Sequence, residues 1–180
     1  TTFPYVQTFV GQAIGPGVRT NVLGWNVNPD NGFVWRWFAY NTNYTTNSGP
    51  GYDHTTGVAG SGNYMVTYGA GAGPDAIIAS PCFDFTNVAA PRMAFWYHMF
   101  GSNIGTLYVE AERNGNWIVI DSIVGQQQLA KYDPWSRRVV SLNQFARSSV
   151  KIRFRAPKNG TGGNQYIAID DIEINQAPPT

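Results

Sequence analysis

Apolar and polar residues alternate along most of this chain, in short runs broken by Gly, Pro, Asn and Asp. Between Thr106 and Glu112 the alternation is complete. Leu107, Val109 and Ala111 fall on one side, Tyr108, Glu110 and Glu112 on the other. A period of two is the repeat of an extended strand with one buried face, and a helix cannot satisfy it. Asn114-Gly115 then supplies a two-residue hairpin turn, because both central positions of a type I′ turn need positive φ. The same logic predicts strands at 5–9, 33–40, 63–68, 76–79, 82–85, 92–98, 106–112, 117–124, 139–142, 150–155 and 166–174. In the second of these, Trp35 and Trp37 share one face and Arg36, Phe38 and Tyr40 the other. No segment keeps a helical period over three turns, and 126–131 is expected to form one helical turn at most. Many short strands joined by turn residues predict an all-β fold, a two-sheet antiparallel β-sandwich with jelly-roll topology.

Composition narrows the function classes. Charged residues are 13% of the 180-residue chain, against a usual ~25%. The 12 basic and 11 acidic residues form no basic block, so the footprint of nucleic-acid binding is absent. No apolar run approaches the ~18 residues of a membrane span. Cys82 is alone and cannot form an intramolecular disulfide. Beside Phe83 and Phe85 it is expected to be a buried thiol. Residues 1–176 read as one domain and 177–180, Ala-Pro-Pro-Thr, as the start of a C-terminal linker. The expectation is an excised module whose targeting signals lie elsewhere.

Several residue sets could carry chemistry. Glu110 and Glu112 lie on one face of a strand, ~7 Å apart, a spacing that a pair of glycosidase carboxylates can use. On an evidently solvated strand with Arg113 nearby, a charged outer face is the preferred interpretation. His54 and His98 are the only histidines, and a zinc site wants three or more well-spaced His or Cys ligands. Hydrogen-bonded structural histidines are expected instead. Aromatics are abundant, with 6 Trp, 10 Tyr and 10 Phe. Sugars stack on flat rings while amides and charged groups bond their hydroxyls. Trp37, Tyr40, Tyr44, Tyr52 and Tyr132 sit in or beside polar segments and are the candidate ligand-binding residues. The long polar stretch 41–62 draws attention for the same reason.

An ordered series of segments resembles a known family. Phe3-Pro4-Tyr5 with Phe9, Trp25, and Phe33-Val34-Trp35 come first. Gly49-Pro50-Gly51-Tyr52-Asp53-His54-Thr55 follows, then Ser80-Pro81 with Phe83-Asp84-Phe85. Phe95-Trp96-Tyr97-His98-Met99 with Gly101 and Gly105-Thr106-Leu107, then Trp135, and Ile167-Ala168-Ile169-Asp170-Asp171-Ile172 complete it. The series spans nearly the whole chain and resembles the MAM domain family. The resemblance implies an extracellular jelly roll that works in adhesion or recognition without catalysis, with Trp25, Trp35, Trp96 and Trp135 in the core. It also implies a structural Ca²⁺ or Na⁺ ion. The loop acid and a closing acid map to Asp53 and to Asp170 or Asp171, with Asp30 or Asn31 as a further oxygen donor. Equally open is that Asp53 caps a turn and Asp171 bonds backbone N–H groups or Arg. Val10 and Val34 stand where the family carries acids, and the paired cysteines of animal members are missing. The cysteine-poor, Asn- and Gly-rich character is closer to bacterial members.

The expected function is therefore that of a non-enzymatic extracellular module of a larger secreted protein, binding a polysaccharide or cell-surface glycan. The alternative is protein–protein adhesion or self-association, which predicts an exposed apolar patch. A lyase or hydrolase would instead show a cleft holding Glu110, Glu112 or His with perturbed pKa values.

Overall fold

The computed structural model describes residues 2–11, 21–29, 32–38, 47–69 and 73–176. Its strands are β1 (Tyr5–Gln7), β2 (Asn21–Val22), β3 (Trp25–Val27), β4 (Val34–Phe38), β5 (Tyr64–Tyr68), β6 (Ala76–Ala79) and β7 (Phe83–Asp84), then β8 (Pro91–Met99), β9 (Thr106–Arg113), β10 (Asn116–Val124), β11 (Ser136–Ser141), β12 (Ser149–Val150), β13 (Ile152–Ala156) and β14 (Ile167–Gln176). One sheet runs β11-β8-β14-β5-β4, with β1 added to the C-terminal half of β14. The other runs β10-β9-β13-β6-β3-β2, and β12 with β7 makes a small third ribbon. Neighbouring strands are antiparallel throughout. The result is the two-sheet jelly-roll sandwich that the alternation predicts.

The core lies between the two large sheets. From the first sheet come Trp35, Trp37, Met65, Phe95, Ile167 and Ile169; from the second come Trp25, Ile78, Leu107, Val109 and Phe154. Phe154 meets Phe95 edge-on across the interface at 4.9 Å and stacks against Trp25 at 6.1 Å. Large rings bury ~150–250 Å² each and dominate such a core. A second aromatic cluster covers the outer face of the first sheet and contains Phe38, Tyr64, Trp135 and Tyr166. Strands buried on both faces lose their alternation, and β5 is buried at four of its five positions.

The structure departs from the sequence expectations at definite places. The hairpin β2–β3 was not expected, because its turn residues are Leu23 (φ 52°) and Gly24 (φ 89°). Leucine at positive φ is uncommon and gives no turn signal. The turn at Asn114 (φ 51°) and Gly115 (φ 79°) is as expected. The 150–155 run divides, with β12 pairing β7 and β13 pairing β6 and β9. Residues 126–131 form no helix, and the helical element among the described residues is a 3₁₀ turn, Asn143–Phe145. Cys82 is exposed rather than buried. Alternation explains it, since Phe83 and Phe85 point into the core and their neighbours point out. Trp37 is 4% exposed and belongs to the core, so it is no ligand platform. The indoles of Trp35 and Trp37 do share a face, and that face is the inner one. Tyr40, Tyr44, Asp30, Asn31 and 177–180 lie outside the described residues.

Candidate functional site

Loop 47–63, between β4 and β5, is laid over the outer face of the first sheet. Ser48 strap-bonds it there: its Oγ donates to the Phe100 carbonyl (2.8 Å) and accepts from the Tyr166 N–H (2.9 Å). The Gly51 N–H donates to the Lys131 carbonyl (2.8 Å), which ties this loop to loop 126–135. Loop 126–135 is itself anchored by Gln128. Its Oε1 accepts the Met99 N–H at 2.7 Å and its Nε2 donates to Ser136 Oγ at 3.0 Å. Asp133 closes the loop tip by accepting the N–H groups of Leu129 and Ala130, both at 2.8 Å.

Two of the predicted aromatic residues come together here. The Tyr132 ring lies against Gly51, so closely that a Cβ at position 51 would overlap it. Tyr132 is nevertheless 62% exposed. Tyr52 is half-buried; its hydroxyl donates to the Asp133 carbonyl (3.3 Å) and its own carbonyl accepts from Trp135 Nε1 (3.2 Å). Trp135 is core, as expected, but Trp96 is only half-buried and carries the His54 ring stacked on it at 4.0 Å.

The same loop gathers the predicted acids. Asp53 is 2% exposed. Its Oδ1 accepts the Thr56 N–H at 2.7 Å, so it does cap a turn, but its Oδ2 is buried without a hydrogen-bond partner. Gly62 (φ 77°) packs directly on this carboxylate and leaves no space for a Cβ. Asp170 is fully buried; its Oδ2 accepts the His54 N–H (3.2 Å) and its Oδ1 the Asp171 N–H (2.8 Å). Asp171 has φ 44°, at a bulge where β14 spends extra residues between the pairs Asp170↔Trp96 and Glu173↔Ala94. The bulge shifts the phase of the strand, so that Ile167, Ile169, Ile172 and Ile174 all enter the core. Strict alternation along β14 would place Asp171 on the face of Ile167 and Ile169. Its carboxylate instead meets His54 Nδ1 at 2.5 Å and accepts from Thr55 Oγ1 at 2.8 Å. Burial first, then the charges of Asp171 and Asp53, push Asp170 up to about 9, and burial also raises Asp53.

Three carboxylates with one histidine leave negative charge that a proton or a hard cation must offset. The orphaned Asp53 Oδ2 beside Asp170 is a donor of the kind Ca²⁺ takes. Among the described residues no three His, Cys, Asp or Glu side chains form a metal cage, so an ion here needs other oxygens as well. His98 takes no part. It is fully buried beneath Trp135 (5.7 Å), near the Asp133 backbone but with neither ring nitrogen in a well-formed hydrogen bond, contrary to the expected bonded histidine. Glu110 is also not the solvated residue expected. It is 3% exposed and bonds Arg153 Nε (2.5 Å) and Arg155 Nε (2.8 Å). Strand β9 is internal to its sheet, and flanking arginines cover its outer side.

Comparison with known proteins agrees with this architecture. The family model described as "MAM domain, meprin/A5/mu" matches residues 19–178. Neuropilin-1a of Danio rerio is 32% identical over 154 residues, which is 84% of this chain and 16% of that protein. The chain thus spans less than a fifth of such a relative. Among solved structures, a cleaved adhesin domain of Lys-gingipain from Porphyromonas gingivalis superposes with TM-score 0.61 at 16% identity, over 98% of this chain and 100% of that one. TmCBM61 in complex with β-1,4-galactotriose gives 0.54 at 14% identity, over 86% and 90%. A cyclase from Fischerella gives 0.60 at 11% identity, over 96% and 95%. At such identities these likenesses show the fold, and one fold hosts binding and catalysis alike.

Proposed function

The chain belongs to the MAM domain family, and on that premise we propose that it is a non-catalytic extracellular module that binds a polysaccharide at Tyr132 and the rim formed by His54, Thr55 and Asp171. The observation that carries this is the Tyr132 ring, braced from behind by Gly51 and open to solvent. A ring held in place before binding loses little entropy when a sugar stacks on it. His54 and Thr55 follow Gly51 in the same loop, and with Asp171 they supply partly exposed polar groups, the His54 and Asp171 side chains being 24% and 20% exposed. Likeness to a galactotriose-bound module supports the reading. The carboxylates do not favour catalysis, since Glu110 is neutralised by two arginines and Asp170 is sealed from solvent. Among the described residues, no helix is long and apolar enough to cross a membrane.

The test is retention of the purified module on a panel of soluble and insoluble polysaccharides. Tyr132→Ala is expected to weaken binding roughly 10- to 100-fold, the loss of one stacking contact of about 1–3 kcal/mol, with an unchanged circular dichroism spectrum. Retention of the variant equal to wild type would remove Tyr132 from the site. Leu129, 82% exposed beside it, favours the second reading, protein adhesion. Concentration-dependent light scattering with no polysaccharide retained would select that reading.

The Asp53–Asp170 pair is further assigned to a structural Ca²⁺, with Asp171 bracing the loop through His54 and Thr55. A ligand that binds only the folded state stabilises it, by about 2.7 kcal/mol at a hundredfold excess over Kd. Millimolar Ca²⁺ is expected to raise the Tm of protein stripped with EDTA by several degrees, and Asp53→Asn to abolish that response. Equal melting with EDTA and with Ca²⁺ would leave the pair holding a proton.

A further inference from the structure

We infer that the solvent face of the second sheet is a separate glycan surface, along which an extended, uncharged polysaccharide chain lies parallel to β9 and β13. This rests on the reading of the module as a polysaccharide binder, but the surface is distinct from the Tyr132 rim.

The outward residues of β9 are Thr106, Tyr108, Glu110 and Glu112. Those of the neighbouring chain segment are Arg155, Arg153 and Lys151. They form a ladder. The Arg155 guanidinium lies over the Tyr108 ring at 4.4 Å, and the Arg153 guanidinium over the Trp117 ring at 4.4 Å. Glu110 joins the two rungs through the Nε of each arginine. Arg155 is also held by Asp75 (2.8 Å). Among the described residues Arg153 is held through its Nε and its ring contact, and its side chain keeps 18% of its surface open to solvent. A guanidinium locked on two sides presents its donors with its orientation already set.

The ladder lies between two depressions. One, of about 160 Å³, is lined by Thr106, Tyr108, Pro157, Lys158 and Asn159. The other, of about 290 Å³, is lined by Cys82, Glu112, Asn114, Ser149 and Lys151. Thr106 and Glu112 are six strand residues apart, roughly 20 Å, so the track suits a chain of several sugar units rather than a single residue. Beside it the floor is low, because the register partner of Arg153 on β6 is Ala79.

The chemistry of the face selects an uncharged ligand. Lys151, Arg153, Arg155 and Lys158 stand against Asp75, Glu110 and Glu112, four cations to three carboxylates, and a single unit of residual charge along the track is too little to select an anion. Hydroxyl, amide and guanidinium groups offer both donors and acceptors, as a polyol needs. Among the described residues, Val119 and Val124, the exposed valines beside this track, lie out on β10, the edge strand, and not at the centre of the face where a protein interface places its apolar anchor.

Affinity electrophoresis of the intact module in gels containing a neutral polymer, with short oligosaccharides from the same polymer titrated in parallel, tests this. Arg153→Ala removes the guanidinium; Ala79→Trp adds bulk to the outer face and leaves every buried group in place. Each is expected to weaken retention by the polymer about tenfold while leaving oligosaccharide binding at Tyr132 unchanged, and raised salt to have no effect. Polymer retention intact in both variants, with Tyr132→Ala abolishing it, would overturn the second surface and spare the first. Retention confined to carboxylated polymers and lost in salt would overturn the uncharged ligand. Wild-type protein held by no polymer at all would defeat the parent reading, and this one with it.

Discussion

Glu110→Gln is expected to lower the unfolding free energy by about 3 kcal/mol, near the lower end for breaking a buried ion pair. The Glu110 side chain is 4% exposed, against 18% for Arg153 and 21% for Arg155. The substitution removes the carboxylate that bridges the two guanidiniums and leaves like charges side by side. Two features keep the cost from being larger. The arginines can shift toward solvent, and Asp75 still holds Arg155. A variant that replaces Glu110, Arg153 and Arg155 together with Leu, Leu and Met is expected to recover most of the loss, because well-packed apolar groups replace buried charges at little or no cost. Urea unfolding curves with equal slopes measure both. A single variant within 0.5 kcal/mol of wild type would mean that the pair contributes no more than a surface ion pair, for which about 0–1 kcal/mol is usual.

That prediction concerns a residue whose role the sequence misstates, and the reason is instructive. Alternation identifies which residues share a face; it does not say what covers that face. Alternation puts Glu110 on the face of Tyr108 and opposite Leu107 and Val109, and there it lies. Its burial depends on Arg153 and Arg155, which reach it from a strand more than forty residues later. Trp37 fails in the complementary way. Alternation puts it on the same face as Trp35, and the polar character of 41–62 points to a surface position. The long-range partner that decides the matter is the second sheet, whose Trp25 and Phe154 occupy the same core.

Where local chemistry alone decides, the sequence suffices. Asn114-Gly115 makes its turn, and β6 falls where its residues predict. Where backbone conformation departs from residue preference, it does not. Leu23 at positive φ hides a hairpin, and Asp171 at positive φ hides the bulge that resets β14. Both non-glycine residues are held in a sparsely occupied region by surrounding structure. At Asp171 the constraint points the carboxylate at His54 and Thr55, so the local exception builds the site.

Acid is expected to weaken the fold through His98. Burial is the chief cause that holds its ring at about 4, below the usual 6.5, and the backbone and charge of Asp133 oppose it only partly. The unfolded chain binds a proton at its ordinary value while the folded protein refuses one until about 4. Unfolding between those values therefore takes up a proton, and stability falls as pH falls. The contribution is complete above pH 6.5, declines through the window at about 1.4 kcal/mol per pH unit, and is gone below about 4. The whole window amounts to about 3 kcal/mol. Asp170 and Asp53 act in the opposite sense, because their folded values are raised and their proton uptake on folding favours the native state as pH falls. A wild-type profile alone thus mixes two slopes. The difference between wild type and His98→Phe separates them, since both proteins share the carboxylates. Phenylalanine also fits a site where neither imidazole nitrogen makes a well-formed hydrogen bond, so the variant is expected to be about as stable as wild type at pH 7 and to pull ahead steadily down to pH 4. Parallel profiles over that range would show that His98 is protonated equally in the folded and unfolded chains, which would require a route for solvent to reach the ring beneath Trp135.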